Sequence, residues 1–180
     1  MISALLALVL SQPVAPVAPA PTLPEAPAGW PTVVTWSDGG RERTAHLDES
    51  LVAERGGDEH TGAALRSQGA MVSSTRGKMR LWRVERAQVV LVAEPKLLPV
   101  YRDEGSPKLR VPIGGVLVVP AKSTTAAKLR EVVGGKVVAS GGVVRVPCPP
   151  AKVFELTRTL SGAAGVAWAQ PDWWLGAQGK

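Results

Sequence analysis

The sequence has a single cysteine, Cys148, and two histidines, His46 and His60, among 180 residues. One thiol excludes an intrachain disulfide framework and a Cys-rich zinc site, and two histidines are too few to replace it, so no metal and no cofactor is expected. Charge is nearly missing from the first thirty residues, where Glu25 stands alone. The apolar run at the start, Ile2 to Leu10, is far short of the ~20 residues of a membrane-spanning helix. Glycines come as pairs at 39 and 40, 56 and 57, 114 and 115, 134 and 135, and 141 and 142. No Gly-x-x-x-x-Gly-Lys or Gly-x-Gly-x-x-Gly pattern cradles a phosphate, so the pairs punctuate strands.

What is present is enough to fold. Hydrophobic residues make up 45% and charged residues 20%, with a mean hydropathy of +0.08, the balance of a packed globular chain. The length suits one ordinary domain or two small ones. Beyond the first thirty residues, 21 basic residues face 14 acids, a net charge of +7 that favours acidic surfaces.

Three composition zones divide the chain. Residues 1–20 read as a signal-like segment, with Ala18-Pro19-Ala20 and Ala26-Pro27-Ala28 as cleavage candidates, although no Lys or Arg precedes the apolar run. A secreted or periplasmic protein is expected. Pro13 to Pro31 holds seven of the sixteen prolines, and residues 21–30 read as a Pro/Ala linker, an extended spacer. An orderly region follows from Trp30.

In its second half the pattern is regular. Gly115 to Pro120 predicts a strand and Thr124 to Val133 a helix behind a Ser/Thr start. Gly135 to Ser140 and Val143 to Val146 predict a hairpin around Gly141-Gly142. Pro149 and Pro150 open a helix from Ala151 to Leu160, and Val166 to Ala169 predicts a last strand. The order β-α-β-β-α-β predicts an α+β, ferredoxin-like antiparallel sheet with its helices on one face.

These residues carry a resemblance. The Gly-Gly-Lys-Val-Val and Val-Val-Arg-Val strands, the Leu-Thr-Arg-Thr-Leu helix and the closing Gly165-Val166-Ala167-Trp168-Ala169-Gln170-Pro171-Asp172 resemble the propeptide, or inhibitor, domain of subtilisin-like serine proteases. Residues 97 to 113 are similar to the segment that precedes this domain in some secreted bacterial proteases. The resemblance spans about residues 97–174, and implies a domain over 97–180 that ends in a C-terminal tail.

A slide of 66 residues pairs Val34 with Val100, Gly39 with Gly105, Leu51 with Leu117, Val52 with Val118, Gly69 with Gly135, Val72 with Val138 and Ser74 with Ser140. TVVTWSDGGRERTAHL then matches LPVYRDEGSPKLRVPI as a hairpin, and LVAE matches LVVP as the strand after it. Ala93-Glu94-Pro95 echoes Ala169-Gln170-Pro171 ten residues early, so residues 31–96 read as a related, degenerate β-rich module lacking most of its second helix.

The residues that carry protease chemistry are missing: no Asp, His and Gly-Thr-Ser motifs form a nucleophile, base and orienting acid. The chain is read as no enzyme. His60, beside Asp58 and Glu59, reads as a loop histidine entering a helix, and Glu42, His46 and Asp48 as an exposed polar strand face. Arg76 to Arg86 packs five basic residues around Trp82, a composition that also suits nucleic acid. Its alternation leaves neither face cleanly basic, so a solvated sheet face is expected and no nucleic acid.

The resemblance implies a binder. Family members pack the open sheet face on the protease and thread the tail through its cleft as an added strand. Here that implies Trp173 and Trp174 as anchors and Leu175, Gly176, Ala177, Gln178, Gly179 and Lys180 in the cleft. No acid lies between Glu131 and Glu155, where many members offer acidic residues to helix N-termini of the protease. A secreted inhibitor or folding chaperone of a subtilisin-like protease is expected, with no membrane contact after processing. The alternative is an orphaned module of a protease precursor, structural or peptide-binding and without inhibitory activity.

Overall fold

The computed structural model describes residues 30–93, 96–122, 124–133, 137–140 and 142–175. The signal-like segment and the linker up to Gly29 lie outside the described residues, as do Glu94, Pro95, Gly134, Gly135, Gly141 and the tail from Gly176 to Lys180. The fold is α+β, a mostly antiparallel nine-stranded sheet with helices against it.

The first half opens with a hairpin, β1 (Val33–Asp38) and β2 (Arg41–Arg55). Gly39 and Gly40, at φ +60° and +85°, form the two-residue turn with both residues left-handed that suits the twist of paired strands. There follow α1 (Glu59–Ser67), the hairpin β3 (Met71–Arg76) and β4 (Met79–Arg83), and α2 (Ala87–Ala93). The second half repeats the plan with β5 (Leu97–Asp103), β6 (Leu109–Pro120), α3 (Ala126–Val133), β7 (Val138–Ser140) and β8 (Val143–Val146). A 3-10 turn at Pro150–Lys152 leads into α4 (Val153–Ser161), and β9 (Val166–Leu175) ends the described chain.

Both halves pair their strands in the same order. The first runs β5-β2-β4-β3 and the second β9-β6-β8-β7, with every ladder antiparallel. Val52 lies opposite Trp82 and Pro99, while Val118, 66 residues on, lies opposite Val144 and Ala169. Strand β5 serves twice, closing the first half's order and pairing with the start of β6.

Several boundaries differ from the sequence reading. LVAE and LVVP are not separate strands but the ends of β2 and β6, which continue past register shifts at Leu47/Val52 and Pro112/Val116. A bulge bends a strand without ending it, so the polar or glycine residues there imitate a loop. The first half keeps its second helix, seven residues against nine, because Ala87, Val90 and Leu91 bury an apolar stripe. Ala93 therefore ends a helix while Ala169 lies in a strand, and Pro99 occupies the ladder position that Ala169 holds in the second half. The basic segment Arg76 to Arg86 is no solvated face: it bridges a hairpin and a helix start, with Met79, Leu81 and Trp82 buried because β4 lies inside the sheet.

The cores follow the pleat. On one face of the first half, Val52, Trp82 and Leu97 pack with Leu65 of α1 and Val90 and Leu91 of α2. In the second half Val116, Val118, Val144 and Ala169 pack with Leu129 of α3 and Leu160 of α4. The first half's other face, Leu51, Ala53, Met79 and Leu81, is covered by Val111 and Ile113 of β6 and Trp174 of β9. A fourth cluster joins Val34, Trp36, Leu47 and Tyr101 to Phe154 and Trp173.

Candidate functional site

The corresponding face of the second half is only half covered. Strand alternation turns Val116, Val118 and Val144 toward the helices, and so turns Leu117, Val119 and Val143 the other way. The register places Arg145 beside Leu117, Val138 beside Arg145, Gln170 across from Leu117, and Trp168 across from Val119. Leu117, Val119, Val143 and Trp168 are half-buried, and Val138 on the outermost strand is 58% exposed. A half-exposed apolar sheet face ringed by a few polar groups is the kind of surface on which a partner can pack.

Arg145 organises the polar side of this face. Its Nε donates to Asp172 Oδ2 at 2.6 Å and its terminal nitrogen donates to the Gly114 carbonyl. Gly115 makes this possible: a Cβ there would meet the Arg145 guanidinium at 3.1–3.2 Å. Asp172, on β9, thus supplies an acid to this face, but Arg145 neutralises it. Burial pushes the Cys148 thiol up, against a hydrogen bond from the Gly115 backbone and the Arg145 charge, so this cysteine is a half-buried packing residue.

Asp172 to Leu175, read from sequence as tail, is the second half of β9. Trp173 enters the aromatic cluster, 5.2 Å from Trp36, 5.8 Å from Phe154 and 6.1 Å from Tyr101 between ring centroids. Trp174, on the opposite face of the strand, packs on the first half's core. Neither tryptophan stands clear of the fold as a docking anchor: both hold β9 down. Leu175 is 57% exposed, and Gly176 to Lys180 lie outside the described residues. The side chain that sequence reasoning passed over is Trp168, whose signal was its place two and four residues before Gln170 and Asp172 in one strand.

The histidines remain apart from any chemistry. Asp58 caps α1, accepting from the His60 backbone at 3.1 Å and from Thr61 Oγ1, and hydrogen bonds from Lys96, Thr61 and His60 hold its carboxyl below the usual range. His60 is exposed, as are Glu42 and His46. Asp48 pairs with Arg102 and accepts from Ser50, tying the β2 bulge. Among the described residues no three His, Cys, Asp or Glu side chains gather as metal ligands.

Compared with protein-family models, with curated proteins and with solved structures, the chain has no match in any of the three.

Proposed function

We propose that the chain is a secreted, non-enzymatic binding protein built from two ferredoxin-like units, whose second unit docks on a subtilisin-like serine protease as a propeptide does. The observation that carries this reading is the half-exposed apolar sheet face around Trp168, on a unit whose C-terminal strand leads directly toward Gly176. The repeated strand orders and one-sided helices support the fold assignment. The resemblance of residues 97–174 supports the partner. In this reading Leu117, Val119, Val143 and Trp168 pack on the enzyme, and residues 176–180 follow β9 into the cleft as an added strand.

Trp173 and Trp174 are half-buried and packed against two core clusters, which changes the test. Removing Trp173 to Lys180 would take away two rings that pack on core clusters and unsettle the fold, so the informative deletion starts at Gly176. Residual activity of a panel of subtilisin-like proteases is titrated with residues 29–180 and with residues 29–175. Saturable inhibition that the shorter protein loses supports an inhibitor. Binding without inhibition by either supports the second reading, a peptide- or protein-binding module of a protease precursor, which the engagement of the two tryptophans in the core favours. No binding by either overturns the protease reading and leaves a structural or peptide-binding module.

A further inference from the structure

Strand β3 ends the sheet at the far end of the strand order from β7. It bonds to β4 alone, all six of its residues are exposed, and Met71 and Val72 are 64% and 46% exposed. Its outer main-chain edge has no strand partner among the described residues. The register shift between Val72 and Ser74 carries two residues past one, so Val72 and Thr75, opposite Trp82 and Arg80, both face the helix side.

There they wall a groove of about 400 Å³ whose other wall is Glu59, Ala63 and Arg66 of α1, with Arg80 between. Arg66 lies 5.3 Å over the Trp82 ring and has no carboxylate partner among the described residues. Arg80 sits 3.7 Å from Glu54 Oε2 and makes no hydrogen bond among the described residues; that oxygen already accepts from Trp82 Nε1 at 2.9 Å. The exposed side chains of Arg76, Lys78, Arg83 and Arg86 likewise have no carboxylate partner among the described residues, and Glu59 and Glu85 are the exposed acids beside them.

We infer that the β3 edge and this groove receive an extended acidic segment of another protein. The segment adds a strand to β3 through main-chain hydrogen bonds, and its carboxylates on the helix side meet the guanidinium groups of Arg66 and Arg80, which offer paired donors. Charge decides the occupant. A second copy would bring another hairpin with Arg76, Lys78, Arg80, Arg83 and Arg86 against the first, more cations than Glu59 and Glu85 can oppose, and a nucleic acid has no strand to offer the edge. This surface lies on the first half and is independent of the protease reading.

The full chain is titrated with a fluorescein-labelled decapeptide alternating Glu with Val and Thr, and the backbone amide resonances are followed. Saturable binding is expected, with shifts at Met71–Arg76 and at α1. N-methylation of alternate peptide nitrogens weakens it roughly tenfold or more, since several main-chain bonds are lost. Arg66→Gln, which removes a side chain held only by a ring contact, weakens it by roughly tenfold with an unchanged spectrum elsewhere. Absence of saturable binding, equal binding of the N-methylated peptide, equal binding of an oligothymidylate, or growth of a dimer in place of peptide binding each overturns the inference.

Discussion

Trp36 in β1 and Trp173 in β9 meet with ring centroids 5.2 Å apart and planes inclined at 59°. The two strands share no ladder, so this contact, with Tyr101 and Phe154, joins the first strand of the sheet to the last. Arg110 stacks over both rings, at 4.9 Å and 5.9 Å, while its guanidinium is held by both carboxylate oxygens of Asp103. Asp172 to Trp174, read from sequence as the start of a tail, are thereby packed into the fold.

Trp173→Ala should therefore destabilise the fold by about 2–3 kcal/mol, since it removes a half-buried ring packed on Trp36, Tyr101 and Phe154. Trp168→Ala, on the half-covered face, should lose about 1 kcal/mol or less. Urea unfolding followed by far-UV circular dichroism separates the two. In the protease titration the order reverses: Trp168→Ala weakens binding roughly tenfold or more, as expected of an interface aromatic.

Glu54 is 2% exposed, and its Oε1 has no hydrogen-bond partner among the described residues. Arg80→Met removes the nearby cation and leaves a buried, uncompensated carboxylate, an expected loss of about 3 kcal/mol. Adding Glu54→Met to that variant should restore most of the loss, at the expense of the Trp82 indole bond. A double-mutant cycle in urea checks the coupling; additive losses would refute it.

Tyr101 is the single tyrosine of the chain, fully buried, and donates to the Pro31 carbonyl at 3.0 Å. Burial pushes its phenol above the ordinary value. A pKa raised in the folded state means that stability is intact below pH ~10 and falls as pH climbs beyond it, toward the folded phenol's value. Phenolate absorbance should then appear together with the loss of near-UV circular dichroism rather than before it. Tyr101→Phe should remove this contribution to the alkaline loss of stability.

Gly114 lies at the β6 register shift with φ +88°, and a Cβ there would come within 2.8 Å of the Cys148 carbonyl oxygen. Both conformation and contact oppose a side chain, so Gly114→Ala should cost about 1–3 kcal/mol. Gly142, at φ +81° with open space around it, should cost less on the same change. Thermal melts of the two variants compare conformation alone with conformation plus contact.

Much of the second half was legible residue by residue. The hairpin around Gly142, the strand Val143–Val146 and the Pro-started helix to Ser161 lie within a residue or two of their sequence-based bounds, because turn glycines, prolines and apolar spacing act locally. Val52 and Val118, the pair that a slide of 66 residues aligns, occupy matching ladder positions in the two halves of one sheet.

What local signals hid was length and partnership. β2, β6 and β9 run past Asp48, Gly114 and Pro171, residues that read as strand ends, because ladders on both sides of β2 and β6 hold a bulged strand together and Pro171 needs no donor at the outer strand β9. Alternation along Asp172-Trp173-Trp174 determined that the two rings point to opposite faces. Only the tertiary structure decided that both faces are covered there. Packing depends on which elements fold back: β1 and α4 reach Trp173, the first half's sheet receives Trp174, and Trp168, equally half-buried, joins none of the buried clusters among the described residues. The sequence by itself determined most of the second half's helices and turns, through propensity and spacing. Which of two like sheet faces became core and which stayed open was decided by packing between residues distant in the chain.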